Sequence, residues 1–437
     1  MQYYTIYPHE GYGLPVDFEL LPQKLKELCY STYAIGKWHL GFCADEYLPQ
    51  NRGFDEFYGT YTSGVDYFEK TSRDPLTDES AYDLHQNKKK VKPNENKYLS
   101  EQCLEKATRY IDKHDTDTPL FMYYAFQLTG SPLQVPQDKL DQFSHINPER
   151  RAFMAMASVM DDAIQSVVDA LEDKDMLDNT YIVFLSDNGG EVTKGGNNWP
   201  LRGNKGTLYD GAMRTPAFVW AKPGTGLMST GGNVASGFMH AVDWFPTILS
   251  IAGGTNTDVN MDGKDQSLML LEDVSVHLRT EFLYALDESM NAANKRAYRF
   301  GDFKLIEGEP SYMYPVRIND DTDDVFVLPY GAVSPVITNY SPIIPVPGEP
   351  VPQPAPAPSV PQTLLYNVKN DPTEQNNLAG NFRVYVLILS SKINMERIKG
   401  VESLKLNETA WNKDVALYNE MIAGGVWMPG WCSAISL

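Results

Sequence analysis

Two patterns alternate along this chain. Short, almost continuously apolar runs, of which Leu120 to Phe126 and Tyr181 to Leu185 are the clearest, are separated by stretches whose apolar residues recur three and four apart. Runs of that length, rich in aromatic and β-branched residues, predict strands covered on both faces of a sheet, and the helical spacing predicts the segments that cover them. The expected order is a helix over 18–30, a strand Thr32 to Ile35, a helix Leu99 to His114, the strand 120–126, a long helix from Pro148 to about Lys174, and the strand 181–185. A strand over 215–220 and a helix over 240–252 follow. Such alternation is the signature of an α/β fold. Met154, Met156 and Met160, on the long helix, suit core packing better than a ligand set. His240 and Asp243 fall on one helix face and read as a structural pair.

After about Gly254 the elements shorten, and 296–300 with 303–306 predict a hairpin of a second, smaller sheet. The domain expectation is therefore 1–254 and 255–437. Within the second part, 334–362 is rich in proline, including Pro345, Pro347, Pro350, Pro352, Pro354, Pro356 and Pro358. This predicts an extended, solvated insert, either a spacer or a ligand for a proline-binding partner.

Composition narrows the possible partners. Against 37 Lys and Arg stand 57 Asp and Glu, a net charge of −20. That balance argues against nucleic acid and anionic membranes, and Lys88-Lys89-Lys90 is too short a run to reverse it. No stretch reaches the roughly 20 apolar residues of a membrane span, and Met1-Gln2-Tyr3-Tyr4-Thr5 opens without the regions of a signal peptide. Asn407-Glu408-Thr409 and Asn339-Tyr340-Ser341 are glycosylation acceptors compatible with a secretory route. The four cysteines show no metal spacing and by themselves establish no disulfide framework.

The chemistry concentrates where apolar runs end in charge. The strand 181–185 delivers Ser186-Asp187-Asn188-Gly189-Gly190, which places hard oxygens at a strand's carboxyl end, where open α/β sheets bind ligands. Asp-Asn suits Ca²⁺ or Mg²⁺, although Asp-Asn-Gly-Gly is also an ordinary turn sequence. Two features favour the site over the turn. Lys205 follows in a loop rich in glycine (Gly195, Gly196, Gly203, Gly206), and a second short apolar run ends in Gly36-Lys37-Trp38-His39-Leu40-Gly41.

These segments resemble the sulfatase family, in particular its arylsulfatase B (N-acetylgalactosamine 4-sulfatase) members. The likeness runs through 36–41, Arg52-Gly53-Phe54-Asp55, Pro132-Leu133-Gln134-Val135-Pro136, the block 186–205, 240–247, and 365–378 with Asn370-Asp371-Pro372-Thr373-Glu374. It implies an alkaline-phosphatase-like α/β fold with a small α+β carboxyl-terminal subdomain. It also implies Asp187 and Asn188 as ligands of calcium, Lys37 and Lys205 as holders of the sulfate oxygens, and His39 as the residue that orients the nucleophile. The substrate implied is a sulfated sugar or aryl sulfate ester, and the location lysosomal or extracellular. A divalent ion and two ammonium groups would sit where charge develops on the departing sulfate.

The resemblance also marks departures. The family's nucleophile is a formylglycine made from Cys in Cys-x-Pro-x-Arg, and neither Cys29, Cys43, Cys103 nor Cys432 lies in that motif. The family's first strand, with its Asp-Asp pair, would fall before Met1. Family cysteines expected near His9 and Gly13 are missing. A histidine just before the Pro-Leu-Gln-Val-Pro segment is replaced by Gly130, and general acid help is worth about 10²–10⁴-fold. Two functions are expected from this: a sulfuric ester hydrolase by ancestry that is inactive or severely impaired as residues 1–437, or a non-catalytic relative that binds sulfated glycan or calcium. A phosphoesterase of the same superfamily is an outside alternative. Without a first strand the central sheet should expose an edge, leaving the chain expressed alone poorly soluble or partly unfolded.

Overall fold

The computed structural model describes residues 5–94, 97–229, 231–255, 261–272, 278–287, 295–308, 316–318, 325–327, 362–400 and 413–436. The glycosylation acceptors and the proline-rich stretch, apart from Gln362, lie outside the described residues.

The chain opens on α1 (Leu21–Glu27), which runs into β1 (Ser31–Lys37). Pro22 sits in the first turn of α1, and Cys29 adopts φ 64° just past its end, so the helix is shorter than the apolar pattern of 18–30 predicts. Next come β2 (Glu56–Thr60), the hairpin β3 (Thr71–Arg73) and β4 (Ser80–Tyr82), the short strands β5 (His85–Gln86) and β6 (Lys89–Lys90), helix α2 (Leu99–Lys113) and β7 (Leu120–Ala125). The first sheet has the order β6-β5-β2-β1-β7, with β2, β1 and β7 mutually parallel. Their carboxyl ends therefore share one rim.

Period-two alternation works on both faces of this sheet. Ala34 of β1, Phe57 of β2 and the half-buried Phe121 of β7 turn to one side, joining Trp38, Phe42, Trp427 and Trp431. Ile35, Tyr58 and Met122 turn to the other, against Leu99, Cys103 and Ala107 of α2 and Met156 of the long helix. Burial on both faces is what the near-continuous apolar runs require.

After α3 (Gln137–Asp141), α4 (Pro148–Asp173) leads to β8 (Tyr181–Leu185), and α5 (Asp210–Met213) to β9 (Ala217–Ala221). β8 and β9 pair antiparallel in a sheet of two. β9 starts only after Pro216, which has no N–H to donate to a ladder. Leu120 and Met122 of β7 pack with Ile182 of β8 and Trp220 of β9 over Ile111, Leu171 and Leu177, so both sheets rest on α2 and α4. Among the described residues, neither β7 nor β8 has a strand on its second edge.

α6 (Trp244–Ile251) is preceded by a single 3₁₀ turn, Ala241–Asp243, and followed by α7 (Ser267–Leu271). Pro246 fits because it sits in the first turn of α6, where no intrahelical N–H is needed. The predicted His240–Asp243 pair is made by the His240 backbone N–H, which donates to the Asp243 carboxylate at 2.8 Å. The Asp243 carboxylate also accepts from the Lys264 N–H at 2.8 Å and from the buried Arg279, with Nε at 2.7 Å and Nη2 at 2.5 Å.

The smaller sheet holds β10 (Glu281–Asp287), β11 (Lys295–Phe300) and β12 (Phe303–Gly308). β13 (Val316–Ile318) and β14 (Val325–Val327) form a separate ladder, and β15 (Gln362–Asn367) completes the order β10-β11-β12-β15. One face is covered by Leu389 and Ile393 of α8 (Arg383–Lys399). The other, with Ala297, Ile306, Leu364 and Tyr366, lies against Leu208 and Tyr209, just beyond Lys205. α9 (Val415–Ala423) and the tail after it return to the large sheet, where Tyr418, Trp427 and Trp431 join the first core.

Cys43 and Cys432 form a disulfide with a Cα–Cα distance of 5.4 Å. This bridge was not visible in the cysteine spacing because its ends are 389 residues apart. Cys29 and Cys103 are free.

Candidate active site

Lys37 is the last residue of β1 and is aimed by a feature only glycine permits. Gly36 has φ +94°, and a β-carbon there would stand 2.1 Å from the Ala125 carbonyl oxygen of β7. Beyond Lys37 the ladder to β2 continues, with the Trp38 N–H donating to Thr60 at 2.9 Å and the His39 N–H to Tyr61 at 3.0 Å. His39 then takes φ 57° and points its Nε2 at the Ile6 carbonyl, 3.0 Å away, with Ser63 Oγ at 3.4 Å. Since a carbonyl only accepts, Nε2 carries the proton.

Asp187 and Asn188 sit just past the carboxyl end of β8, as the strand pattern predicts. Their turn is stitched to the loop that carries Lys205. The Gly189 N–H donates to Ala212 of α5 at 2.8 Å, and Asn198 spans the gap, accepting from the Gly190 N–H at 2.9 Å and donating to Gly190 at 2.8 Å and Gly203 at 3.2 Å. Gly189 leaves no room for a side chain, since a β-carbon would fall 1.8 Å from the Gly211 carbonyl oxygen.

These pieces converge electrostatically. Burial holds the Lys37 ammonium below its ordinary pKa; the Asp187 carboxylate pulls it back up and Lys205 adds to the lowering. His39 is pushed down to about 4, first by burial and then by Lys37, with a smaller push from Lys205. The Tyr123 phenol of β7 is raised by desolvation and by Asp187. Lys37, His39, Asp187 and Lys205 thus occupy one rim. Among the described residues, the side chains of Lys37, Lys205, Asp187 and Asn188 make no hydrogen bond or ion pair with the protein. Two ammonium groups without protein partners beside a carboxylate and a carboxamide are a receptor for an anion and a cation together.

Fit to calcium is partial. Asp187 and Asn188 are hard-oxygen donors, but Ca²⁺ takes six to eight oxygens, and among the described residues no three His, Cys, Asp or Glu side chains gather as a metal site. Two of the four cysteines, Cys43 and Cys432, are held in the disulfide. Cys103 lines the same small cavity as Lys37, and burial pushes its thiol up to about 12, which keeps it neutral and inert. Gly130 lies in an exposed turn, its N–H donating to Gln127 at 2.7 Å, and a β-carbon there would meet that same oxygen at 2.8 Å. No imidazole stands at that position.

Other shared motif residues serve the scaffold. The buried Arg52 guanidinium donates to Leu14 at 2.9 Å and Phe18 at 2.6 Å, and Asp55 accepts from the Thr32 N–H at 2.9 Å. Gln134 accepts from the Tyr67 N–H at 2.8 Å and donates to Asp66 at 2.6 Å.

A family model described as Sulfatase matches residues 1–254. The chain belongs to the sulfatase family. It is 36% identical over 333 residues to arylsulfatase J of Mus musculus, an alignment covering 71% of this chain and 54% of that protein. To the N-acetylgalactosamine-6-sulfatase of Homo sapiens it is 29% identical over 269 residues, covering 60% and 50%. The chain therefore spans about half the length of these relatives. Among solved structures, Ps i-CgsB in complex with k-i-k-neocarrahexaose superposes with a TM-score of 0.68 at 24% identity, covering 90% of this chain and 77% of that one. The PsFucS1 sulfatase from Pseudoalteromonas sp. gives 0.60 at 20%, covering 86% and 72%. These establish the alkaline-phosphatase-like sulfatase fold, with the mixed central sheet and the smaller antiparallel sheet described above.

The structure brings Lys37, His39, Asp187 and Lys205 to one rim, with Asn188 next to Asp187 in the turn after β8; sequence reasoning named all five as candidates. It missed Asn198, although Asn197-Asn198 stood inside the shared block, and it missed Ser63 and the Ile6 carbonyl beside His39. The last two carry no local signal, because they meet the imidazole only after folding.

Proposed function

We propose that this sulfatase-family chain binds the sulfate group of a sulfated sugar at the rim formed by Lys37 and Lys205. The observation that carries this reading is that these ammonium groups face Asp187 across one rim without protein partners of their own. Asp187 and Asn188 would hold a calcium ion weakly, water supplying the remaining oxygens; when bound, it would offset charge on the sulfate oxygens. Lys37 and Lys205, compact point charges on flexible stems, bind and orient the same oxygens. His39, neutral above about pH 4, is proposed as the orienting group, and its proton on Nε2 is engaged by Ile6.

Turnover by residues 1–437 is proposed to be absent or severely impaired, leaving recognition without efficient hydrolysis. No cysteine of the chain lies in a Cys-x-Pro-x-Arg motif, and Gly130 offers no proton to a leaving group. The relatives' names point to aryl sulfates and sulfated N-acetylgalactosamine as the substrates to try. The arylsulfatase B type of specificity is part of this proposal. A lysosomal or extracellular location is proposed as well, supported by the Cys43–Cys432 disulfide, which persists in oxidising compartments.

The test uses the full chain and three ligands: inorganic sulfate, a sulfated N-acetylgalactosamine, and 4-nitrophenyl sulfate. Calorimetry should show sulfate binding that weakens about tenfold or more in Lys205→Ala and in Lys37→Met, with little nitrophenol released. Unchanged affinity in both variants would sink the binding reading. Nitrophenol release that disappears in Lys205→Ala would overturn the impaired-turnover reading. Calcium should bind in the millimolar range or weaker. Micromolar affinity lost in Asp187→Ala would contradict an incomplete shell.

A further inference from the structure

A buried charge cluster lies outside the rim, where the smaller sheet meets the loop that carries Lys205. Lys304 of β12 is fully buried, yet its Nζ reaches Asp210 Oδ1 at 2.7 Å and Glu374 Oε1 at 2.8 Å. Both carboxylates are buried too. Glu374 closes the cluster by accepting from the Asp210 N–H through Oε2 at 2.7 Å. The ring of Tyr284 lies 4.6 Å from the ammonium, a cation–π contact on the remaining side.

The same turn grips the other end of the loop. Arg202 donates to the Glu374 carbonyl at 2.9 Å and to the Tyr366 hydroxyl at 3.3 Å, and its guanidinium lies 4.1 Å from the Tyr209 ring. The loop from Arg202 to Asp210 is thus pinned at both ends to residue 374, while Lys205 and Gly206 at its tip are exposed. The Gly211 N–H donating to Arg202 at 2.7 Å draws the two ends together. Through Gly189 and Ala212, the turn holding Asp187 leans on the same helix.

Desolvating three charges is costly, and a buried ion network is weak evidence for stability as such. It does impose one geometry, because each member has its partners only in a single arrangement. Burial works against the Lys304 ammonium, but Glu374, Tyr284 and Asp210 outweigh it and keep it protonated.

We propose that Lys304, with Asp210 and Glu374, is a positioning device of the sulfate site: a clamp from the smaller sheet that sets where Lys205 stands. This rests on the reading that Lys205 binds sulfate. The predicted consequence is that sulfate affinity depends on a lysine that never touches the anion.

The experiment compares Lys304→Met and the milder Glu374→Gln, each alone and combined with Lys205→Ala, in the full chain. Inorganic sulfate is titrated by calorimetry, and amide hydrogen exchange is followed over 203–209 and over 31–37. The clamp predicts about tenfold weaker sulfate binding in either variant, no further loss once Lys205 is already alanine, and about tenfold faster exchange in 203–209 with 31–37 unchanged. Equal losses in the wild-type and Lys205→Ala backgrounds, or unchanged exchange in 203–209, would overturn it. If Lys304→Met fails to fold, Glu374→Gln carries the same comparison, since the amide keeps the bond to the Asp210 N–H. If Lys205→Ala alone leaves sulfate affinity intact, the sulfate reading fails, and the exchange measurement by itself decides whether the clamp holds the loop.

Discussion

At the scale of single residues, His39 shows how burial and charge set a protonation state. Its folded pKa is about 4, against about 6.5 for a free imidazole. A depressed folded value means that the unfolded chain binds the extra proton first. His39 therefore contributes stability that is fully present above about pH 6.5 and lost as pH falls through about 4, at most about 3 kcal/mol. His39→Gln should flatten the fall in thermal midpoint between pH 6.5 and 4 relative to the parent chain. An identical pH profile for the two proteins would show that the imidazole is not held neutral. Gly36 argues from sterics alone: Gly36→Ala would press a methyl group into the Ala125 carbonyl in a left-handed backbone. Loss of at least about 2 kcal/mol in denaturant unfolding, together with weaker sulfate binding, is expected.

At the scale of elements, the open edges of β7 and β8 stand out. Each is paired on one side, and both rest on the same helices, so their apolar side chains are only partly covered and backbone donors on the second edges have no strand partner among the described residues. Leu185 and Tyr123 remain exposed there at 45% and 49%. Alternate amides of 181–185 should exchange about a hundredfold faster than those of Ala34 and Ile35, which lie in a strand paired on both sides. Uniformly slow exchange across 181–185 would mean that β8 is protected by something other than a neighbouring strand. Such edges also promote association, so Leu185→Lys should reduce concentration-dependent association in sedimentation experiments without lowering the unfolding midpoint.

At the scale of the molecule, the Cys43–Cys432 disulfide ties the carboxyl-terminal tail to the loop after β1. Around it Phe42, Tyr418, Trp427 and Trp431 pack ring against ring, with Tyr418 and Trp431 centroids 5.0 Å apart. A cross-link closing so long a loop restricts the unfolded chain strongly, and 2–4 kcal/mol is the usual scale. Replacing both cysteines by alanine should lower the melting temperature by several degrees and make the parent's response to reductant disappear. Equal midpoints would indicate that the aromatic cluster alone secures the tail.

How much was legible in the sequence follows from the range of each interaction. Strands 120–125 and 181–185, helix 148–173 and the hairpin after 295 were readable because a run of ten or so residues already encodes which faces are covered. Lys37 and Asp187 were readable for the same reason, since a charged residue closing an apolar strand must emerge at its carboxyl end. Tertiary structure alone decided the rest. Lys304 and Glu374 look in the sequence like ordinary solvated charges, and Asp210 meets them across separations of 94 and 164 residues. The disulfide, the split between β7 and β8, and the small sheet's grip on the Lys205 loop likewise depend on where the chain returns. Local periodicity determines what each segment is, because hydrophobic burial acts on its own repeating face. Which distant charges and cysteines become neighbours is settled only when those faces pack, because a specific ion pair or cross-link needs one geometry that no single segment contains.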